Sequence, residues 1–432
     1  MNGSARKQIF LLQGPLGSFF EVLSKRLQAS GYSVLDVCFN LGDRLNRSAD
    51  DLLWFSGSPE QWRVKLRALC DLHRPQCFIL FGDRRPIHVV ACEIAAEFDI
   101  KVYSFEEGYL RPDFVTCEPH GNNARSLAVR QLPYFVPAGI QAGPRPVGKT
   151  FGRMICHAIV YQWALAFNTL IAPRHKHHRQ RRVVPEALYW TRAWARKLFH
   201  ARADRRNEAR LKAAHGKRFF ILALQVHDDL QSLHHGAGWT QERLIETAIH
   251  SFGRHAPKDT VLVIRYHPMD RGHKTYAPLV NRIASAAGVQ SRVCLMFNGH
   301  APTLLTEAAG FISVNSTMAL SAMHHGCPVL ALGDCFYRIP GLAAPGRDEA
   351  AMDAFWSAPP EIDHDLFMRF RALLIEETQI NGSYYQPRFY PAMAVGVIAR
   401  LRRSGIVGRY NAAHAELPAF LPAPLAAAVP AE

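Results

Sequence analysis

An apolar run of strand length followed by an amphipathic run of helical spacing recurs through this chain, breaks off at a strongly basic segment, and then begins again. Residues 8–13 (QIFLLQ) read as a strand ending in Gly14-Pro-Leu-Gly17. Residues 18–30 carry Phe19, Val22, Leu23 and Leu27 at helical spacing until Gly31 stops them. Strands at 32–39, 76–81 and 101–105 and helices at 59–73 and 87–98 continue the alternation. Beyond the basic segment, strand runs at 218–225, 260–266, 292–297, 311–315 and 328–332 are separated by helical runs at 241–255, 276–287, 303–309 and 316–325. A parallel sheet wrapped by helices satisfies this order, because a parallel neighbour is reached only through a crossover. Two such series predict an α/β protein of two Rossmann-like domains with parallel sheets, and ligands at the carboxyl ends of the strands.

The expected boundaries follow from these shifts. Residues 1–172 form the first domain, 173–217 a basic helical linker, and 218–385 the second domain. Helical runs from about 363 to 403 follow, and a helix within 386–415 could cross back to the first domain. The Pro/Ala-rich stretch 416–432 has too little to bury and is expected to be disordered.

With 432 residues, 48% of them hydrophobic and 20% charged, the chain can bury two cores. Its nine cysteines are scattered through apolar runs without a CxxC pair, which fits a reducing compartment. The start, MNGSARKQ, has no signal-peptide pattern. The longest apolar stretch, 156–172, is interrupted by His157, Gln162 and Asn168 and falls short of the ~20 residues a spanning helix needs. A cytoplasmic protein, soluble or bound to a surface, is expected. Of the net charge of +15, residues 174–218 contribute +12, from 15 Lys/Arg against Glu186, Asp204 and Glu208. With Trp190, Trp194 and Leu198 at helical spacing, this segment suits an anionic membrane surface. A plain solvated helix pair is the alternative. A nucleic-acid partner is not expected, since no recognised binding motif accompanies the charge. His175, His177 and His178 sit among Lys and Arg, which disfavours a metal site.

Polar residues gather where the predicted strands end. Gly14-Pro-Leu-Gly17, Phe39-Asn-Leu-Gly-Asp43, Phe81-Gly-Asp-Arg-Arg-Pro86 and Glu106-Glu-Gly-Tyr-Leu-Arg111 would share one sheet edge, although each alone could be an ordinary turn. Glu106 and Glu107 close an apolar strand, where a carboxylate is costly unless paired or used. Either general acid/base work, or an ion pair from Glu106 to Arg84, Arg85 or Arg111, would explain them. In the second half, Gln225-Val-His-Asp-Asp-Leu-Gln231 offers Asp228 and Asp229 as a nucleophile or as helix caps. His267 could donate to an anion, with Pro268 holding its turn. Asn315-Ser-Thr317 opens a helix, where Ser316 and Thr317 could bind phosphate or merely cap. Neither GxxxxGK[ST] nor GxGxxG occurs.

Taken in order from about residue 7 to residue 340, these motifs resemble the bacterial capsule polysaccharide export/biosynthesis proteins, specifically the single-module β-Kdo transferases (Kdo is 3-deoxy-D-manno-oct-2-ulosonic acid). They include Gln13-Gly-Pro, Glu118, Gly121 to Ser126 and His267-Pro-Met-Asp-Arg271. The resemblance implies a GT-B glycosyltransferase, its two Rossmann-like domains facing across a cleft, with the first on the acceptor side and the second binding CMP-Kdo. It implies transfer of β-Kdo to a lyso-phosphatidylglycerol-type acceptor on the cytoplasmic face of the inner membrane. Membership of a capsule assembly or export complex containing a second Kdo transferase is implied too. By position, Asp229 would be the nucleophile of a retaining reaction, Glu107 an acid/base and His267 a phosphate ligand, while Ser316 and Thr317 would hold the CMP. Arg111 would meet the Kdo carboxylate. Glu106, Gln225, Gln231, Pro268, Asn315, Gly14, Asp83 and Asn123 complete the expected binding set. No metal or cofactor is called for, because CMP leaves as a monophosphate onto fixed donors. An inverting, sialyltransferase-like enzyme and a non-catalytic glycolipid-binding export factor are the competing readings.

Overall fold

A computed structural model describes residues 7–47, 51–137, 143–171, 183–227 and 235–403. Its strands are β1 (Gln8–Leu11), β2 (Ser33–Cys38), β3 (Leu52–Trp54), β4 (Cys77–Phe81), β5 (Lys101–Glu107), β6 (Phe114–Pro119), β7 (Phe219–Ala223), β8 (Val261–Arg265), β9 (Val293–Met296), β10 (Gly310–Ser313), β11 (Val329–Ala331) and β12 (Gln379–Asn381). They build two sheets, ordered β12-β6-β5-β4-β1-β2-β3 and β11-β10-β7-β8-β9. Among the described residues, those up to Val183 and from Arg371 onward form one compact unit, and Val184–Phe370 form the other. The pair of Rossmann-like domains expected of a GT-B chain is thus present, each built on a parallel-dominated sheet.

In the first unit, β1 shows why the strand runs are apolar throughout. Ile9 and Leu11 face one core with Phe19, Leu23 and Tyr103. Phe10 and Leu12 belong to the other, with Trp62, Phe78 and Ile94. A strand covered on both faces cannot alternate polar with apolar. The helices Phe19–Ala29 and Pro59–His73 supply the two covers, and Ser58 caps the second with a full capping box.

Two strands depart from the all-parallel expectation. β5 and β6 are antiparallel, as are β6 and β12. Gly108 makes the first hairpin feasible, since a Cβ there would lie 2.0 Å from the Phe114 carbonyl oxygen. The second pairing moves the crossing point. The chain rejoins the first unit at Arg371 rather than at 386, because β12 extends the first sheet through Gln379 opposite Thr116. Buried Arg400 fixes this return. It donates to the carbonyls of Cys117 (2.9 Å), Gln379 (2.5 Å) and Glu376 (3.3 Å), and so ties β6, β12 and the end of the helix His364–Glu377 together. The helix Tyr390–Arg403 then lays Met393, Val397 and Leu401 into the core shared with Phe19 and Leu27.

In the second unit, Phe220, Leu222 and Leu224 pack with Leu244, Ile245 and Phe252 of the helix Gln241–His255 and with Trp356 of Glu349–Ser357. The stretch expected to be a linker is in part the helix Val183–His215, which is fixed to this unit. Arg196 donates to the carbonyls of Arg271 (2.5 Å) and Lys274 (2.7 Å). Asp204, buried, accepts from the Asn298 backbone N–H at 2.9 Å. A Cβ on Gly272 would lie 1.9 Å from the Tyr189 carbonyl oxygen, so helix and loop touch backbone to backbone. The basic run 174–182 and the tail 416–432 lie outside the described residues.

Candidate active site

Parallel register brings the loops after β1, β2, β4 and β5 to one edge of the first sheet. Strand order reverses between β1 and β4, which makes their carboxyl ends the crevice of this sheet. Arg85 spans it, donating to Gln13 Oε1 at 2.7 Å and to the Gly14 carbonyl at 3.3 Å. Gln13 in turn donates to Asp43 Oδ2 at 3.0 Å. Asp43 also accepts from the Phe39 backbone N–H (3.1 Å), Asn40 Nδ2 (3.1 Å) and Tyr161 Oη (3.0 Å). Burial pushes the Asp43 carboxyl upward in pKa, and these donors pull it back. Gly14 lies so close to Phe20 that a Cβ would come within 2.8 Å of its ring.

Asp83 is buried and accepts from Arg125 Nη1 at 3.2 Å. Gly121 sits against it: a Cβ there would be 2.6 Å from Asp83 Oδ2. Glu106 and Glu107 are the last residues of β5. Two tyrosines from beyond β12 reach them: Tyr385 Oη donates to Glu107 Oε1 at 2.8 Å, and Tyr384 Oη to the Glu106 carbonyl at 3.0 Å. Burial, reinforced by the Glu107 charge, pushes both phenols up, so each O–H remains a donor. Arg111 Nε donates to the Gly108 carbonyl at 3.1 Å, which curls its side chain over the hairpin turn.

Beneath that turn, Glu118 holds two loops together. Its carboxyl accepts from Tyr109 Oη and from Ser126 Oγ (2.6 Å). The backbone N–H of Asn123, a residue with φ +51°, donates to the same Tyr109 oxygen at 2.5 Å. Burial pushes the Glu118 carboxyl up to about 7, against the lowering pull of Ser126, Tyr109 and Asn122.

In the second sheet the order reverses between β7 and β10. Gln225 and Asn315 stand just past these strands and bond in both directions across the gap. Ser316 follows at once. Its Oγ accepts from the Met318 backbone N–H at 3.2 Å, and its carbonyl accepts from Tyr337 Oη at 2.8 Å, so the hydroxyl proton can go to a ligand. Thr317 begins the short helix Met318–His324 without a side-chain cap bond. Past β8, the Met269 backbone N–H donates to His267 Nδ1 at 3.2 Å, which assigns the ring proton to Nε2. Pro268 lies inside the turn closed by the Asp270 N–H on the His267 carbonyl at 3.0 Å.

Asp229 and Gln231, with Asp228, lie outside the described residues. His227, the last described residue before them, pairs its Nδ1 with buried Asp270 at 2.5 Å. Sequence reasoning did not foresee Asp270 as the partner of His227, nor Tyr161, Arg125, Tyr384 and Tyr385. Nor did it foresee that Arg265, at the end of β8, lies partly buried beside Met318, its Nε enclosed with no hydrogen-bond partner. The signal for Arg265 was present, since an arginine closing an apolar strand needs a reason. The tyrosines lie in helical or irregular stretches without a motif.

Residues 76–385 match the family described as "Capsule polysaccharide biosynthesis protein". The chain is 34% identical over 384 residues to the capsule polysaccharide export protein KpsS of Escherichia coli, covering 88% of this chain and 97% of that protein. It is 33% identical over 398 residues to the capsule polysaccharide modification protein LipB of Neisseria meningitidis serogroup A, covering 89% and 93%. Among solved structures, KpsC of Thermosulfurimonas dismutans, a beta Kdo 2,7 transferase, aligns with a TM-score of 0.44 and 12% identity over 87% of this chain and 93% of that one.

Proposed function

Because this chain belongs to the capsule polysaccharide biosynthesis protein family, we propose that it is a glycosyltransferase that moves β-Kdo from CMP-Kdo to a lyso-phosphatidylglycerol-type acceptor. It would act peripherally on the cytoplasmic face of the inner membrane, within a capsule assembly and export complex that includes a second Kdo transferase. The observation that carries the reading is the Gln225–Asn315 pairing at the switch point of the second sheet. It sets Ser316 and residues 225–227 at one edge of that sheet, where an anionic sugar nucleotide would sit.

The donor phosphate would take hydrogen bonds from His267 Nε2–H, Ser316 Oγ–H and Thr317, and the positive charge of Arg265 lies nearby. Asp229 attacks C2 of Kdo as the bond from C2 to the CMP phosphate oxygen breaks, and CMP leaves with that electron pair. The acceptor hydroxyl then attacks C2 and releases Asp229, with its proton passing to Glu107. Two displacements retain configuration. In the first unit, Arg111 would meet the Kdo carboxylate. Gly14, Asp83, Glu106 and Asn123 would line the acceptor side.

The test is CMP release by the purified chain, with CMP-Kdo as donor and lyso-phosphatidylglycerol as acceptor. Asp229→Ala should lower it at least 10³-fold, on the order of the loss when a catalytic nucleophile is removed. Wild-type protein that releases no CMP sinks the reading. An active Asp229→Ala enzyme would point to the inverting mechanism instead.

A further inference from the structure

The helix Phe151–Ile171 has two unlike long faces. One is tied to the polar crevice of its unit: Tyr161 bonds Gln13, Asn40 and Asp43, Arg153 donates to Gln386 at 2.6 Å, and Ala164 is buried. The other face is apolar and bare. Ile159, Val160, Trp163 and Phe167 are each 52–56% exposed, and Cys156 is exposed beside them. At 3.6 residues per turn these five positions fall within an arc of about 100° that carries no charge. A water-facing helix ordinarily turns its polar residues to that side.

The sequence segment that contains this stripe carries charge of one sign. From Pro119 to Pro185 the sequence contains no Asp or Glu, yet it carries ten Lys and Arg. Arg125, Arg130, Arg145, Lys149 and Arg153 are the five of these among the described residues. An apolar stripe centred on a tryptophan, in a segment with ten cations and no acid of its own, complements an anionic phospholipid surface. Among the described residues no helix is long and apolar enough to cross a membrane, so a helix of this kind would lie on such a surface rather than through it.

We propose that Phe151–Ile171 is an interfacial helix, seated at the acyl-chain boundary of an anionic bilayer through Ile159, Val160, Trp163 and Phe167. Its opposite face then presents the Gln13–Asn40–Asp43–Tyr161 crevice at headgroup level, where a lipid acceptor is found. This deepens the acceptor assignment above and rests on it only for the identity of that acceptor.

The full-length chain is sedimented with vesicles of phosphatidylglycerol and phosphatidylethanolamine, and separately with phosphatidylcholine vesicles. Wild type should favour the anionic vesicles at least tenfold and lose affinity as salt rises. Trp163→Asp/Phe167→Asp should bind them at least tenfold more weakly with an unchanged melting temperature, since both side chains are exposed. Trp163→Ala/Phe167→Ala should fall between. Wild type that ignores anionic vesicles, or Asp and Ala variants that bind like it, would overturn the proposal. So would a lipid-free wild-type dimer that the substitutions dissociate, because the stripe would then be covered by a second copy. Vesicle binding is read without turnover: binding without CMP release leaves this inference standing and removes the transferase reading.

Discussion

Gln225 Nε2 donates to Asn315 Oδ1 at 2.8 Å, and the Asn315 backbone N–H returns a bond to Gln225 Oε1 at 3.2 Å. Both residues are buried, and the Gln225 backbone N–H is itself taken by Gln241 at 2.9 Å. This reciprocal pair sets the spacing between the two loops that leave the sheet at its switch point. Gln225→Ala removes both of the bonds that Asn315 shares with it in a buried site, at a cost of about 1–3 kcal/mol. Asn315→Ala should cost a similar amount, and the double variant less than the sum, with a coupling of roughly 0.5–3 kcal/mol. Denaturant melts of the four proteins measure it, and additive losses would show that the pair does not act as a unit. CMP release should fall about 10-fold or more in each single variant, because positioning is lost along with stability.

Gly108→Ala should be among the most damaging single changes in the first unit. Its Cβ would meet the Phe114 carbonyl oxygen at 2.0 Å and the carbonyl carbon at 2.6 Å, which are backbone atoms that cannot swing away. Opening the β5–β6 hairpin should cost on the order of 3 kcal/mol. Gly143→Ala, where a Cβ meets nothing within 4 Å, is the control and should melt with wild type. Equal melting of the two variants would contradict the close approach.

The alternation of strand and helix was legible because the central strands, such as β1, β4, β7 and β10, are covered on both faces, so their runs are apolar and their ends are marked by the first polar loop. That is how Gln225, His267 and Asn315 could be placed at strand ends from sequence. What stayed hidden depends on distant pairing. β12 is only Gln379-Ile-Asn381, and nothing local distinguishes it until Thr116 and Arg400 are beside it. The same holds for Tyr161, whose polar role exists only because a helix brings it to Asp43, 118 residues earlier in the chain. β5 runs to Glu107 rather than stopping at 105 because Glu106 and Glu107 gain ladder partners in Thr116 and Val115. That antiparallel partner could not be read from the segment alone.

Tyr385→Phe removes the hydroxyl that donates to Glu107 Oε1 at 2.8 Å and leaves the ring in place. A hydrogen bond to a charged group is worth about 1.5–3 kcal/mol. If Glu107 works in the transfer step, CMP release should therefore drop about 10- to 100-fold, with the loss in kcat and little change in KM for CMP-Kdo. The melting temperature should move little, because the ring packing persists. An unaltered kcat would remove Tyr385 from the supporting shell of Glu107.

Glu118 makes stability depend on pH in a direction opposite to that of an ordinary paired carboxylate. Its folded value of about 7 lies above the 4.5 of an unperturbed Glu, with burial as the main cause. Between those values the folded chain binds more protons than the unfolded one, so this contribution is fully present below pH 4.5 and is lost as pH rises through 7. At ~1.4 kcal/mol per unit the change amounts to roughly 3 kcal/mol. Asp43, also raised by burial, acts in the same direction, so the difference between variants is the informative quantity. Glu118→Gln keeps a neutral acceptor for Tyr109 Oη and removes the titration. The gap between wild-type and Glu118→Gln stability should therefore shift in favour of the variant as pH is raised from 4.5 to 8. Parallel stability curves across that window would show that Glu118 is ionised throughout, and would leave Tyr109 and Ser126 donating to a permanent carboxylate.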